Sequence, residues 1–198
     1  MSELKRLFIA VALPGDVRQY LKTVREKLEK TGADAKWVDP SQIHLTLKFL
    51  GSTPQEKIPA ILAIGKQACE GIPRIPVTLG TLGGFPSLNA PRVLWVNLND
   101  PGDFLISIAA HLENGLEGLG FEKEQRPFQT HMTLARIRSQ KNRLTLVQAA
   151  IDLQKTLKAL PFAVDNITLF ESRLSPKGPA YLAIERISLG EISSSPSG

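Results

Sequence analysis

Ile43-His44-Leu45-Thr46-Leu47-Lys48-Phe49 alternates apolar and polar residues at every position. A period of two is the mark of a strand with one buried face, so Ile43, Leu45, Leu47 and Phe49 are expected in a core. His44, Thr46 and Lys48 are expected on the opposite face. The signature returns as His131-Met132-Thr133-Leu134, 87 residues later (131 minus 44), and the two copies hold two of the three histidines in the chain.

The surrounding pattern repeats with them. Residues 6–13, Arg-Leu-Phe-Ile-Ala-Val-Ala-Leu, read as a buried strand closed by Pro14 and Gly15, with Leu7, Ile9, Val11 and Leu13 on one face and Phe8, Ala10 and Ala12 on the other. Over 16–30, Val17, Tyr20, Leu21, Val24 and Leu28 recur at helical spacing, and Gly32 supplies a stop. Further helices are predicted over 54–69, 104–116 and 141–157, and strands over 75–82, 92–98, 131–137, 162–170 and 180–188. Arg6 to Val11 falls on Arg92 to Asn97 at a shift of 86 (92 minus 6), and Pro54 falls on Lys141 at 87 (141 minus 54). A repeat this long exceeds a solenoid unit and predicts a bilobal α+β fold: two lobes related by a pseudo-twofold axis, each an antiparallel sheet with packed helices, and a groove between them. The lobe-forming repeats are expected at 5–90 and 91–190 within one domain, 1–192, followed by a loose polar tail at 193–198.

Composition narrows the classes. At 198 residues, 42% hydrophobic and 22% charged, the chain has material for a substantial core and is not disordered. A net charge of +5 suits an anionic partner, although Lys and Arg are scattered along the sequence. Cys69 is the only cysteine, which excludes an internal disulfide and a Cys-rich zinc cluster and fits a reducing compartment. No apolar stretch approaches the roughly 18 residues that span a bilayer, so a cytoplasmic protein without membrane association is expected.

Two histidines on equivalent strands suggest a chemistry. An imidazole titrates near neutral pH, so one ring can accept a proton while the other donates one, as breaking a phosphorus–oxygen bond without a metal requires. Each threonine lies two positions from its histidine on the same face, roughly 6 to 7 Å along the strand, where its hydroxyl can donate to a phosphoryl oxygen. No HExxH or CxxC string supplies zinc ligands.

The paired HLTL and HMTL strings resemble the HxTx motifs of the 2H phosphoesterase superfamily. RLFIAVALP at the start, IHLTLKFLG, PRVLWV and RPFQTHMTLAR extend the likeness, which is closest to the RNA 2′,3′-cyclic phosphodiesterases first named 2′-5′ RNA ligases. The resemblance implies hydrolysis of a terminal 2′,3′-cyclic phosphate on RNA to a 2′-phosphomonoester. His44 would be the proton donor and His131 the proton acceptor, with no metal and no cofactor. Thr46, Thr133 and Arg136 would bind the phosphate, and the partner would be an RNA end, tRNA fragments included, met by a monomer. Two alternatives remain at this stage: the reverse reaction, 2′-5′ ligation of tRNA halves, and a nucleotide- or RNA-binding module without turnover.

Other residues are weighed the same way. Strict alternation puts Arg136 opposite His131, so reaching a phosphate requires a bulge or the end of the strand. Phe8 is a candidate for stacking on a base, against plain core packing, and Lys48 for meeting backbone charge, against a solvated lysine. His111 has no matching motif and reads as a structural or surface residue. Gly83-Gly84 lacks the spacing of a phosphate loop and reads as a turn.

Overall fold

The structure is a computed structural model and describes residues 3–175 and 178–190. The tail expected to be loose at 193–198 lies outside the described residues. Strand β1 (Leu4–Ala12) is followed by helix α1 (Gly15–Glu29), whose Val17, Leu21, Val24 and Leu28 are buried as their spacing predicts, with Asp16 favourably placed in the positive first turn. Then come β2 (Ala35–Trp37), β3 (His44–Pro54), α2 (Ile58–Cys69), β4 (Ile75–Phe85), β5 (Val93–Asn99), α3 (Phe104–Glu117), β6 (His131–Ile137), α4 (Arg143–Gln154), β7 (Pro161–Val164), β8 (Asn166–Ser175) and β9 (Gly178–Ser188). The predicted elements are present within a few residues, except that the one strand expected over 162–170 is two, β7 and β8, which pair with β4 and β1 in different sheets. Strand β2 is the element the pattern does not disclose, because three residues are too few to establish a period. No described helix is long and apolar enough to cross a membrane.

The strands form two antiparallel sheets, ordered β3-β1-β8-β9 and β2-β6-β5-β4-β7. The chain does not divide between them near residue 90, as the repeats 5–90 and 91–190 suggest. Strand β4 closes the first repeat yet pairs with β5 of the second, while β8 of the second repeat pairs with β1 of the first. The short connection over 86–92 explains the first exchange: strands joined by a tight loop pair with each other more readily than with a distant partner. The same connection makes Gly83 and Gly84 part of β4 rather than a turn. A Cβ at Gly83 would stand 2.1 Å from the Trp95 ring, so that glycine makes room for the indole. Helix α2 packs on α3 and on β9, α3 packs on β3, and α1 packs on α4, which meets β4. One continuous apolar cluster contains Leu7, Ile9 and Leu45 of the first sheet together with Leu79, Leu94 and Met132 of the second. Cys69 is the small core residue expected, its thiol pushed up to about 12 by burial and therefore unreactive.

Strict alternation fails just past the threonine of each signature strand, and β3 carries a second register shift farther on, where Leu7 pairs with Gly51 but Phe8 with Phe49. In β3, Ala10 pairs with Thr46 but Ile9 pairs with Lys48, so one residue is inserted; in β6, Trp95 pairs with Thr133 but Leu94 pairs with Ala135. These are β-bulges, and each reverses the faces of the residues beyond it. Lys48, expected beside His44, turns into the interior, where it is 4% exposed and donates from Nζ to Glu113 Oε2 at 2.6 Å and to the Glu122 carbonyl at 2.6 Å. Phe49, expected in the core, becomes 53% exposed. Register also corrects the alignment of the repeats: Ala12 lies opposite His44 and Asn97 opposite His131, so β1 matches β5 at a shift of 85 (97 minus 12) rather than 86.

The burial of Lys48 generates a test. Lys48→Ala leaves the Glu113 carboxylate without its cation and should destabilise the fold by on the order of 3 kcal/mol in urea unfolding. A double Lys48→Met, Glu113→Leu variant should recover most of that loss. A solvated lysine on the face of His44 would show neither effect.

Candidate active site

His44 opens β3 at the end of a short helical turn, Pro40–Gln42, which Asp39 caps by accepting from the Ser41 amide at 2.8 Å. The imidazole donates from Nδ1 to the Gln42 carbonyl at 2.7 Å. His131 opens β6 and donates from Nδ1 to the Gln129 carbonyl at 2.8 Å. A carbonyl can only accept, so Nδ1 carries the hydrogen in both rings and Nε2 is left to act on a ligand. Two further bonds hold these approaches. The Gln42 side-chain amide donates to the Pro179 carbonyl at the start of β9, and the Thr130 hydroxyl donates to the Leu98 carbonyl at 2.8 Å.

Aromatic rings wall both histidines. Phe8 lies 4.9 Å from His44 and Tyr181 meets it edge-on at 5.1 Å, while Phe85 meets His131 edge-on at 4.9 Å and Trp95 stands 6.4 Å away. Burial lowers the pKa of His44 from its ordinary 6.5, against the opposing pull of the Gln42 carbonyl. Phe8 does not present a face for a base. It is 2% exposed, wedged among His44, Phe170 at 5.3 Å and Tyr181 at 5.0 Å, because β8 and β9, which follow β1 in the sheet, set these rings around it.

Thr46 and Thr133 are half-buried beside their histidines, and neither hydroxyl has a hydrogen-bond partner among the described residues. The bulge in β6 brings Arg136 around to the face of His131 and Thr133, where it is exposed. Lys36 of β2 sits directly across from it. Like charges opposed across a pair of strands destabilise one another, and an anion between them removes the conflict. Strands β3 and β6 adjoin at the junction of the sheets, and Tyr181 spans that junction: its ring rests on His44, and its hydroxyl, pushed up by burial, is drawn back down by Arg136 and Arg6. His44, Thr46, His131, Thr133 and Arg136 therefore flank one junction. His111 lies exposed on α3, and Arg126 is exposed and pairs with Glu124 at 3.0 Å.

Sequence reasoning did not find Gln42, Gln129, Lys36 or Tyr181. The duplicated Gln-x-His-x-Thr was a visible signal for the first two, but the group they contribute is a carbonyl, which every residue carries. Tyr181 sits far along the chain, and only strand pairing brings it to His44.

Comparison with known proteins places this geometry in a family. The model of the LigT-like phosphoesterases matches twice, over residues 11–95 and 97–181, once for each signature strand. A protein of Methanocaldococcus jannaschii named RNA 2′,3′-cyclic phosphodiesterase is 31% identical over 180 residues, covering 91% of this chain and 98% of that protein. One of the same name from Thermus thermophilus is 35% identical over 190 residues, covering 93% of this chain and 90% of that protein. Among solved structures, TT0787 of Thermus thermophilus superposes with a TM-score of 0.74 at 31% identity over 93% of this chain and 97% of that one. LigT of E. coli in complex with 3′-AMP does so with a TM-score of 0.74 at 26% identity, over 96% of this chain and 100% of that one. With matching motifs, lobes and relatives along almost its whole length, the chain belongs to the LigT-like phosphoesterase family.

Proposed function

We propose that the protein hydrolyses 2′,3′-cyclic phosphate ends of RNA to 2′-phosphomonoesters, with His44 and His131 as the acid–base pair. The observation that carries this reading is the duplicated bond from Nδ1 to a backbone carbonyl, which fixes both tautomers and leaves two Nε2 atoms for proton transfer. Relatives named RNA 2′,3′-cyclic phosphodiesterase support the substrate class.

The steps balance without a cofactor. His131 Nε2 takes a proton from water as its oxygen attacks phosphorus, the bond to O3′ breaks, and His44 Nε2–H protonates the departing O3′; solvent exchange resets both rings. Thr46 and Thr133 donate to the non-bridging oxygens that gain charge, and Arg136, with Lys36 across from it, supplies the positive field. In this reading residues 1–192 work as one monomeric bilobal unit in the cytoplasm, on RNA ends that include tRNA fragments. The exchange of strands between sheets supports that unity, since neither repeat closes a sheet alone.

Incubation with an RNA oligonucleotide ending in a 2′,3′-cyclic phosphate should yield the 2′-phosphate at a rate unchanged by EDTA. His44→Ala and His131→Ala should each lower kcat by about 10² to 10⁴-fold. A 3′-phosphate product would reverse the leaving group, and full activity in both variants would remove the pair from the reaction.

The burial of His44 fixes a pH dependence. An acid must be protonated, so activity falls as pH rises through the pKa of His44, which lies below 6.5 in the free protein. A bound phosphate anion favours the imidazolium, so the alkaline limb of kcat should lie at higher pH than that of kcat/KM, which reports the free enzyme. Tyr181→Ala, by opening His44 to water, should move the alkaline limb of kcat/KM upward. Movement of the acidic limb instead would make His44 the base.

A further inference from the structure

The guanidinium groups of Arg136 and Arg6 both act on Tyr181 beside His44, and neither makes an ion pair with any described residue. Arg136 is accounted for by the reacting phosphate; Arg6 is not. It is exposed on β1, and its guanidinium stands 5.1 Å from the centroid of the Phe49 ring. Phe49 is 53% exposed, turned to this side by the bulge in β3, and lies 6.5 Å from Phe8, which in turn contacts His44 at 4.9 Å. A half-exposed phenylalanine under an unpaired arginine adds little to a core. Beside a site for an RNA end it has the make-up of a single-strand platform, because a guanidinium plane and an aromatic face both stack on bases, and the cation also answers backbone phosphate.

Position in the repeat points the same way. Phe49 stands three residues after Thr46, as Arg136 stands three after Thr133, and both are delivered by the same bulge. The duplicated scaffold thus aims two side chains at one junction, a cation from one lobe and a ring from the other. The register sets Thr46 opposite Ala10 and Phe49 opposite Phe8, two steps along β1, so strand rise puts Phe49 roughly 7 Å from Thr46, on the side toward Arg6.

We propose that Arg6 and Phe49 form a subsite for the nucleotide preceding the terminal one of the RNA, its base stacked on the Arg6–Phe49 pair and the phosphodiester on the 5′ oxygen of the terminal nucleoside held by Arg6. The RNA then leaves the site across β1 and β3 of the first sheet. This rests on the phosphodiesterase reading above.

The test compares a mononucleoside 2′,3′-cyclic phosphate with a dinucleotide ending in the same group. The wild-type protein should favour the dinucleotide in kcat/KM, and Phe49→Ala or Arg6→Gln should each cut the ratio of dinucleotide to mononucleotide kcat/KM by about tenfold, the size of one stacked base. Phe49→Trp should restore the ratio, and Arg6→Gln should reduce the salt dependence of dinucleotide KM by a slope of about 0.7. An unchanged ratio, or equal losses on both substrates, overturns the subsite. If the wild-type protein hydrolyses neither substrate, the phosphodiesterase reading fails instead. Fluorescence anisotropy with dinucleotide and mononucleotide probes ending in a 2′-phosphate then decides the subsite: weaker binding of the dinucleotide alone in Phe49→Ala upholds it, and equal binding overturns it.

Discussion

The residue inserted just past the threonine of each signature strand governs this molecule. A regular strand that faces His and Thr toward a ligand must also face the residue two positions beyond Thr the same way. In β3 that residue is Lys48 and in β6 it is Ala135. The bulges sink both and raise the next residues, Phe49 and Arg136, to the site side. Because backbone pairing to β1 and β5 continues on either side, the irregularity is locked by the ladders around it. Rigid strands then present their side chains with little freedom to wander, which is what proton transfer to a positioned substrate demands.

The buried Lys48 shows how the bulge connects to the rest of the fold. Once turned inward its ammonium must find partners, and it takes Glu113 from α3 and the Glu122 carbonyl from the segment leading toward β6. Glu113 also accepts from the Glu124 amide at 3.1 Å. The first signature strand is thereby tied to the approach of the second. Strand exchange acts in the same direction: β8 and β9, from the second repeat, enclose Phe8 with Phe170 and Tyr181 and bring Tyr181 to His44. Each lobe is completed by the other.

The duplication is close in backbone and divergent in side chains. Both histidines use a carbonyl two residues upstream and both are walled by aromatic rings, yet Ala10 opposite Thr46 is matched by Trp95 opposite Thr133. Such differences let a nearly twofold scaffold bind a substrate that has no twofold symmetry, with unequal surroundings for the two imidazoles.

Much of this was readable in residue order. The period of two around each His-x-Thr, the helical spacing of Val17, Leu21, Val24 and Leu28, and the recurrence of the whole pattern after 87 residues depend on local sterics and on burial of one face, which neighbouring residues express directly. What tertiary structure alone decided was the faces of Lys48 and Phe49 in β3 and of Ala135 and Arg136 in β6, the loss of Phe8 to the interior, the crossing of strands between lobes and the arrival of Tyr181. A bulge is set by the register of the partner strand, and register by contacts between residues far apart in the chain. No local period records those contacts, so a reading that assumes an unbroken pleat assigns Lys48, Phe49 and Arg136 to the wrong sides.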